Sequence, residues 1–164
     1  MWVWVGSIGG HRMKLCYKVK TATQKEIYLH LKDCNDSFKP PLNTRVNLQD
    51  FSKKIFEKSV SFETWENQIL VGIISAYFND IENRSGYINN VSITKNYRGM
   101  GIATTLLKMC IEYARQYNFS EIKLEVSKYN FRAIQLYRKL GFHDFENRGD
   151  FILMRYEVDF TNTK

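Results

Sequence analysis

Tyr97-Arg98-Gly99-Met100-Gly101-Ile102-Ala103-Thr104 is the stretch of this 164-residue chain whose residue types and spacing best suit chemistry. Gly99 and Gly101 lack a Cβ, so the main chain can approach a guest closely and adopt positive φ. Arg98 adds a fork of donors matched to phosphate oxygens. A strand-like run, Tyr87 to Thr94, precedes the turn, and a helix-like run, Ile102 to Tyr117, follows it. A helix start leaves its first N–H groups without partners and carries a partial positive charge of roughly half a unit. Strand, glycine turn and helix start together make an anion site whose usual guest is phosphate.

Two phosphate signatures fail against this turn. A P-loop ends in Gly-Lys-Ser/Thr, and no such triplet occurs here. The dinucleotide fingerprint has a third glycine where this chain has Thr104. Glu125 does supply an acid about twenty residues on, but too little chain remains after the turn for the large domain that fingerprint opens.

A second ordered set lies downstream: Asn130, Ala133, Leu136-Tyr137, Lys139 and Gly141-Phe142. Asn130, Ala133 and Tyr137 stand at i, i+3 and i+7 and share one helix face. A small residue between two polar ones leaves a slot there. Taken alone, Tyr137 reads as an aromatic covering the core.

The order strand, Arg-Gly-x-Gly-Ile-Ala, helix, strand, Asn-x-x-Ala-x-x-Leu-Tyr-x-Lys-x-Gly-Phe resembles the GCN5-related N-acetyltransferase (GNAT) family over about Ile69 to Val158. The resemblance implies an α/β (α+β) acyl-CoA N-acyltransferase fold: a mixed, mostly antiparallel sheet with splayed central strands flanked by helices. It implies acetyl-CoA as cosubstrate, no metal, and direct attack of an amine on the thioester. By position, main-chain groups of Val91, Ile93 and Lys95 would pair with the pantetheine arm, and the Ile93 N–H would polarise the thioester carbonyl. Arg98, Gly99, Met100, Gly101, Ile102, Ala103 and Thr104 would cradle the pyrophosphate. Asn130 would bond the pantetheine or order its helix. Tyr137 would protonate the departing thiolate, and a phenol of pKa near 10 carries that proton at neutral pH.

One departure concerns the base. The family often has a Glu on the strand before the glycine turn, and the matching stretch here is Ile88-Asn89-Asn90-Val91. An Asn orients water or substrate but takes no proton. Glu63, Asp80, Glu82, His30 and His143 are the remaining candidates, and both histidines read first as structural or solvated. A small-molecule amine is the leading acceptor. Phe38, Phe51, Phe56, Phe62 and Trp65 suggest either a pocket for an amino sugar or core. A protein N-terminus or lysine is the runner-up, and a catalytically silent CoA-binding module is a third reading.

Positioning these residues requires a mixed sheet with helices on its faces. Leu15, Tyr17 and Val19 alternate as a first strand. Thr23-Gln24-Lys25-Glu26 spells a capping box for a helix to about Asn35. Lys39-Pro40-Pro41 breaks the pattern, and Asn47 can cap a second helix. Strands follow at Val60–Glu66, Ile69–Phe78 and Tyr87–Thr94, with a polar connection from Asn79 to Gly86. After the 102–117 helix, which Asn118 can end, come a strand at Ile122–Val126 and a helix at Asn130–Leu140 stopped by Gly141. Phe142–Glu146 and Phe151–Val158 close the pattern.

Residues 1–12 read as an extension outside the fold, with an extra strand as the alternative, and 13–164 as a single domain. The net charge of +7 is spread without blocks and suits a phosphorylated ligand; no nucleic-acid motif appears. No apolar run reaches membrane-spanning length. Three cysteines without metal or Cys-x-x-Cys spacing fit a reducing cytoplasm. A homodimer is the default for partners.

Overall fold

The computed structural model describes residues 2–8 and 11–161, with side chains from residue 13 onward. Among these residues the chain order is β1 (Trp2–Ile8), β2 (His11–Val19), α1 (Gln24–Cys34), α2 (Leu48–Lys58), β3 (Val60–Glu66), β4 (Ile69–Asp80), β5 (Ser85–Ile93), α3 (Ile102–Gln116), β6 (Glu121–Ser127), α4 (Phe131–Leu140), β7 (His143–Arg148) and β8 (Phe151–Glu157). The strands bond in the order β1-β2-β3-β4-β5-β6-β8-β7. β5 and β6 are parallel, while β1/β2, β2/β3, β6/β8 and β7/β8 are antiparallel. This is the mixed, mostly antiparallel sheet expected. The polar connection is shorter than its composition suggests, because β4 runs on to Asp80 and β5 begins at Ser85. The stretch 1–12 carries β1 and the first residues of β2, paired from Trp2↔Cys16 to Ile8↔His11. No described helix is long and apolar enough to cross a membrane.

The chain divides into two compact units, Met1–Ser75 with Asn90–Leu106, and Ala76–Asn89 with Leu107–Lys164. In the first, Thr23 closes the capping box. Its hydroxyl accepts the Glu26 N–H at 3.2 Å, and the Glu26 carboxylate accepts the Thr23 N–H at 2.8 Å. Asn47 caps α2 by accepting the Asp50 N–H at 3.0 Å. Ile27 and Leu31 of α1 and Ile55 of α2 pack with Cys16, Trp65, Leu70 and Ile73, and Phe38 and Phe51 lie against this cluster. Phe62 is also fully buried, whereas Phe56 is exposed. Most of the aromatics considered for a pocket are therefore core.

Glu63 shows why a carboxylate can lie in such a core. It accepts the N–H groups of Thr21 and Ala22 at 2.9 Å each, the Ser61 hydroxyl at 2.8 Å, the Trp65 indole at 3.0 Å and the Thr21 hydroxyl. A buried acid is tolerated when its lone pairs are filled. Here they are filled by the link from β2 to α1 and by Ser61 and Trp65 of β3.

In the second unit β5 and β6 pair from Ser85↔Glu121 to Ile88↔Leu124. Both strands run past that ladder, β5 to Ile93 and β6 to Ser127. Alternation on β6 buries Ile122, Leu124 and Val126. Both helices end as their sequences suggested. Asn118 takes φ 65° and Gly141 φ 110°. Phe119 N–H then reaches Ala114 O at 2.8 Å, and Phe142 N–H reaches Tyr137 O at 3.0 Å, filling carbonyls the helices leave open.

Glu63→Gln turns one acceptor into a donor facing donors. We expect urea unfolding to register a loss of about 2–4 kcal/mol, with secondary structure unchanged by circular dichroism.

Candidate functional site

Successive residues of a strand turn their peptide groups to opposite edges. Thr94 donates its N–H to Val71 O of β4 at 2.8 Å. The N–H and C=O of Ile93, and of Val91 two residues back, therefore point away from β4. The Ile93 carbonyl accepts Arg98 Nε at 3.0 Å. Side-chain burial alternates as well: Ile88, Asn90 and Ser92 are buried, while Val91 and Ile93 are half-buried.

A 3-10 turn, Lys95–Tyr97, follows β5. Tyr97 N–H bonds Thr94 O at 2.9 Å, and Arg98 N–H bonds Lys95 O at 3.3 Å. The Tyr97 hydroxyl donates to the Glu66 carboxylate at the end of β3. That bond raises its phenol to about 12. Gly99 and Gly101 then take φ 76° and 75°. Thr105 N–H bonds Gly101 O at 3.1 Å, so the N–H groups of Ile102, Ala103 and Thr104 form the open first turn of α3. A Cβ built on Gly101 would meet nothing within 4 Å. Two left-handed glycines, open space and bare helix N–H groups suit a diphosphate. Gly72 of β4 supports the turn from beneath. A Cβ there would stand 2.9 Å from Ile93 Cδ1 and 3.1 Å from Ile102 Cγ2, so glycine lets β4 approach the end of β5 and the start of α3 together.

Arg98 differs from expectation in its side chain. The guanidinium donates Nε to Ile93 O and Nη2 to the Ser37 hydroxyl. It ties the loop after α1 to the end of β5, which leaves the anion-binding character of the turn to main-chain N–H groups.

Asn130 and Tyr137 belong to the second unit. Asn130 caps α4, its carboxamide oxygen accepting the Ala133 N–H at 3.2 Å. Of the two roles considered for it, ordering its helix is the one seen. Tyr137 is 6% exposed, with the Phe142 ring 5.9 Å away between centroids. Burial pushes its phenol up to about 12, so it holds its proton throughout the neutral range.

A profile of the Acetyltransferase (GNAT) family matches residues 25–142. The chain belongs to that family. It is 43% identical over 60 residues to an N-alpha-acetyltransferase of Saccharolobus solfataricus, covering 36% of each chain. To a "Probable spermine N(1)-acetyltransferase" of Bacillus subtilis subsp. natto it is 29% identical over 114 residues, covering 66% of this chain and 74% of that one. The chain spans less than half the length of the first curated relatives it matches. The ribosomal-protein-S18-alanine N-acetyltransferase from Escherichia coli superposes with a TM-score of 0.72 at 17% identity, covering 90% of this chain and 97% of that one. At that identity the likeness shows the GNAT fold.

The GNAT strand that often carries an acid has buried Asn90 and half-buried Asn89 here. Glu63 is enclosed by its five donors. Asp80 and Glu82 are exposed at the turn entering β5, and Asp80 accepts from Asn83. His143 is exposed at the start of β7. His30 is buried between Leu70 and Ser92, and burial holds its pKa below the ordinary value. Cys34 beside it is pushed up to about 11 by burial and is no thiolate. Cys110 is raised likewise. Sequence reasoning treated His30 as bland and passed over Ser92 and Ser37. A signal existed for Ser92: it shares the inward parity of β5 with Asn90, and two polar residues on a buried face need partners. Nothing local marked Ser37.

The raised Tyr137 pKa has a consequence for stability. The unfolded chain ionises this phenol near 10, while the folded chain keeps it protonated to about 12. The stabilisation is complete below pH 10 and is lost as pH rises toward 12. Melting temperatures taken across that window should fall more steeply for the natural protein than for Tyr137→Phe.

Proposed function

We propose that this GNAT chain transfers an acetyl group from acetyl-CoA to a primary amine by direct attack. The observation that carries the reading is the Gly99–Gly101 turn, whose left-handed glycines open onto the uncapped first N–H groups of α3. In this reading those N–H groups, with the turn from Gly99 to Thr104, hold the pyrophosphate. Main-chain groups of Val91, Ile93 and Lys95 pair with the pantetheine arm. The outward direction of Ile93, set by the Thr94–Val71 bond, supports that pairing.

The amine nitrogen attacks the thioester carbon, and negative charge builds on the carbonyl oxygen. The Ile93 N–H meets that charge; one such preorganised donor is worth roughly 3–4 kcal/mol. The C–S bond then breaks, the sulfur takes the Tyr137 proton, and the phenolate recovers a proton from solvent. The attacking nitrogen sheds its own proton to water, since Asn89 and Asn90 take none. A reducing cytoplasm is the proposed setting, which three free, buried cysteines support.

A small-molecule amine is the acceptor we favour, and the relative named for spermine supports it. The relatives named N-alpha-acetyltransferase favour a second reading, a protein N-terminus. Thiol release from acetyl-CoA against amino sugars, polyamines, amino acids and peptides separates the two. Release with none of them, despite tight binding, leaves only a CoA-binding module.

Two variants test the assigned roles. Gly101→Val places a branched side chain in the open cradle at φ 75° and should weaken acetyl-CoA binding by calorimetry by at least roughly tenfold. Tyr137→Phe should leave that affinity within about twofold and lower kcat by roughly a hundredfold.

A further inference from the structure

His30 of α1 is 4% exposed, and its ring meets main chain on both sides. Nδ1 stands 3.1 Å from Leu70 O of β4. Nε2 stands 2.9 Å from the Ser92 hydroxyl and 3.2 Å from Ser92 O of β5. Asn90 Nδ2 donates to that same hydroxyl at 3.0 Å. A neutral ring carries one N–H. With the proton on Nδ1, the ring donates to Leu70 O and accepts the Ser92 hydroxyl. With the proton on Nε2, it donates to Ser92. In the first tautomer it bridges the two strands directly, and in the second it still holds Ser92.

The Ser92 carbonyl and the Ile93 N–H belong to one planar trans peptide and point in opposite directions. Whatever holds Ser92 sets the aim of the Ile93 N–H. On the other side of the same residue, Arg98 Nε takes the Ile93 carbonyl. Ile93 is thus gripped by an α1 histidine through the peptide before it and by Arg98 through its own carbonyl.

We propose that His30 is a positioning residue for acyl transfer: by holding Ser92 it aims the Ile93 N–H at the carbonyl oxygen of the bound thioester. The inference rests on the reading of Ile93 as the donor to that oxygen. A core-filling histidine would contribute volume alone. A positioning one contributes direction, and a donor misaimed by a fraction of an ångström loses much of its effect on the reacting bond.

The test needs no acceptor amine. Acetyl-CoA labelled with carbon-13 at the acyl carbonyl is bound to the full chain, and its infrared stretch is compared with the free thioester. The natural protein should lower the frequency. His30→Phe fills the site without ring nitrogens and should lose at least half of that shift. His30→Asn reaches toward Leu70 but not Ser92, keeps a polar group in place should the Phe variant not fold, and should lose it too. His30→Gln reaches Ser92 and should restore most of it. Acetyl-CoA affinity by calorimetry should stay within about threefold throughout, since the phosphate-binding turn is untouched. A full shift retained in both His30→Phe and His30→Asn overturns the inference and spares the Ile93 reading. A natural protein that binds acetyl-CoA without any shift overturns both. Absence of acetyl-CoA binding overturns the cofactor reading with them.

Discussion

A strand residue presents its N–H and C=O to one edge only, and Thr94 gives that edge to Val71 of β4. The rest of the first unit's site follows from this single bond. It turns Ile93 and Val91 the other way, where the Ile93 N–H and the Val91 peptide groups face an extended ligand in the proposed reading. The 3-10 turn at Lys95–Tyr97 then carries the chain into α3. Two glycines at positive φ let the helix begin with its N–H groups open. One edge for a thiol-bearing arm and one helix end for a diphosphate are the two things a CoA thioester requires, and both come from main chain.

In the proposed reading main chain does the recognising, and side chains are left to hold it still. Arg98 ties Ile93 O to Ser37, Tyr97 ties the turn to Glu66 of β3, and His30 lies between Leu70 and Ser92. Glu63 does the equivalent for the link from β2 to α1. Of these, His30 and Glu63 sit where an apolar core would be simpler. Each is supplied with partners, as low-dielectric surroundings demand, and a satisfied network permits fewer arrangements than packed aliphatics do.

Local signals read well in this chain because the interactions behind them are local. Thr23 and Glu26 cap α1 through bonds three residues apart, Asn47 caps α2 over the same span, and Asn118 and Gly141 end their helices by their own φ. The alternation of Ile122, Leu124 and Val126 buries one face of β6 whatever packs on it. The features left open depended on partners distant in sequence. Glu63 looked like a free acid because three of its five donors belong to Thr21 and Ala22, 42 and 41 residues away. The tie from Arg98 to Ser37, 61 residues off, carries no local mark. The early aromatics fitted a pocket as well as a core until α1 and α2 closed over them.

By itself, then, the order of residues determined the helix caps, the strand alternation, the glycine turn and the family to which these belong, since each is written within a few positions along the chain. Tertiary structure alone decided which polar groups were already engaged, which edge of β5 stayed open, and that a histidine of α1 should reach the peptide of Ile93. Those outcomes depend on strands and helices meeting across 23 to 62 residues, and no short-range pattern encodes which side chains will face each other there.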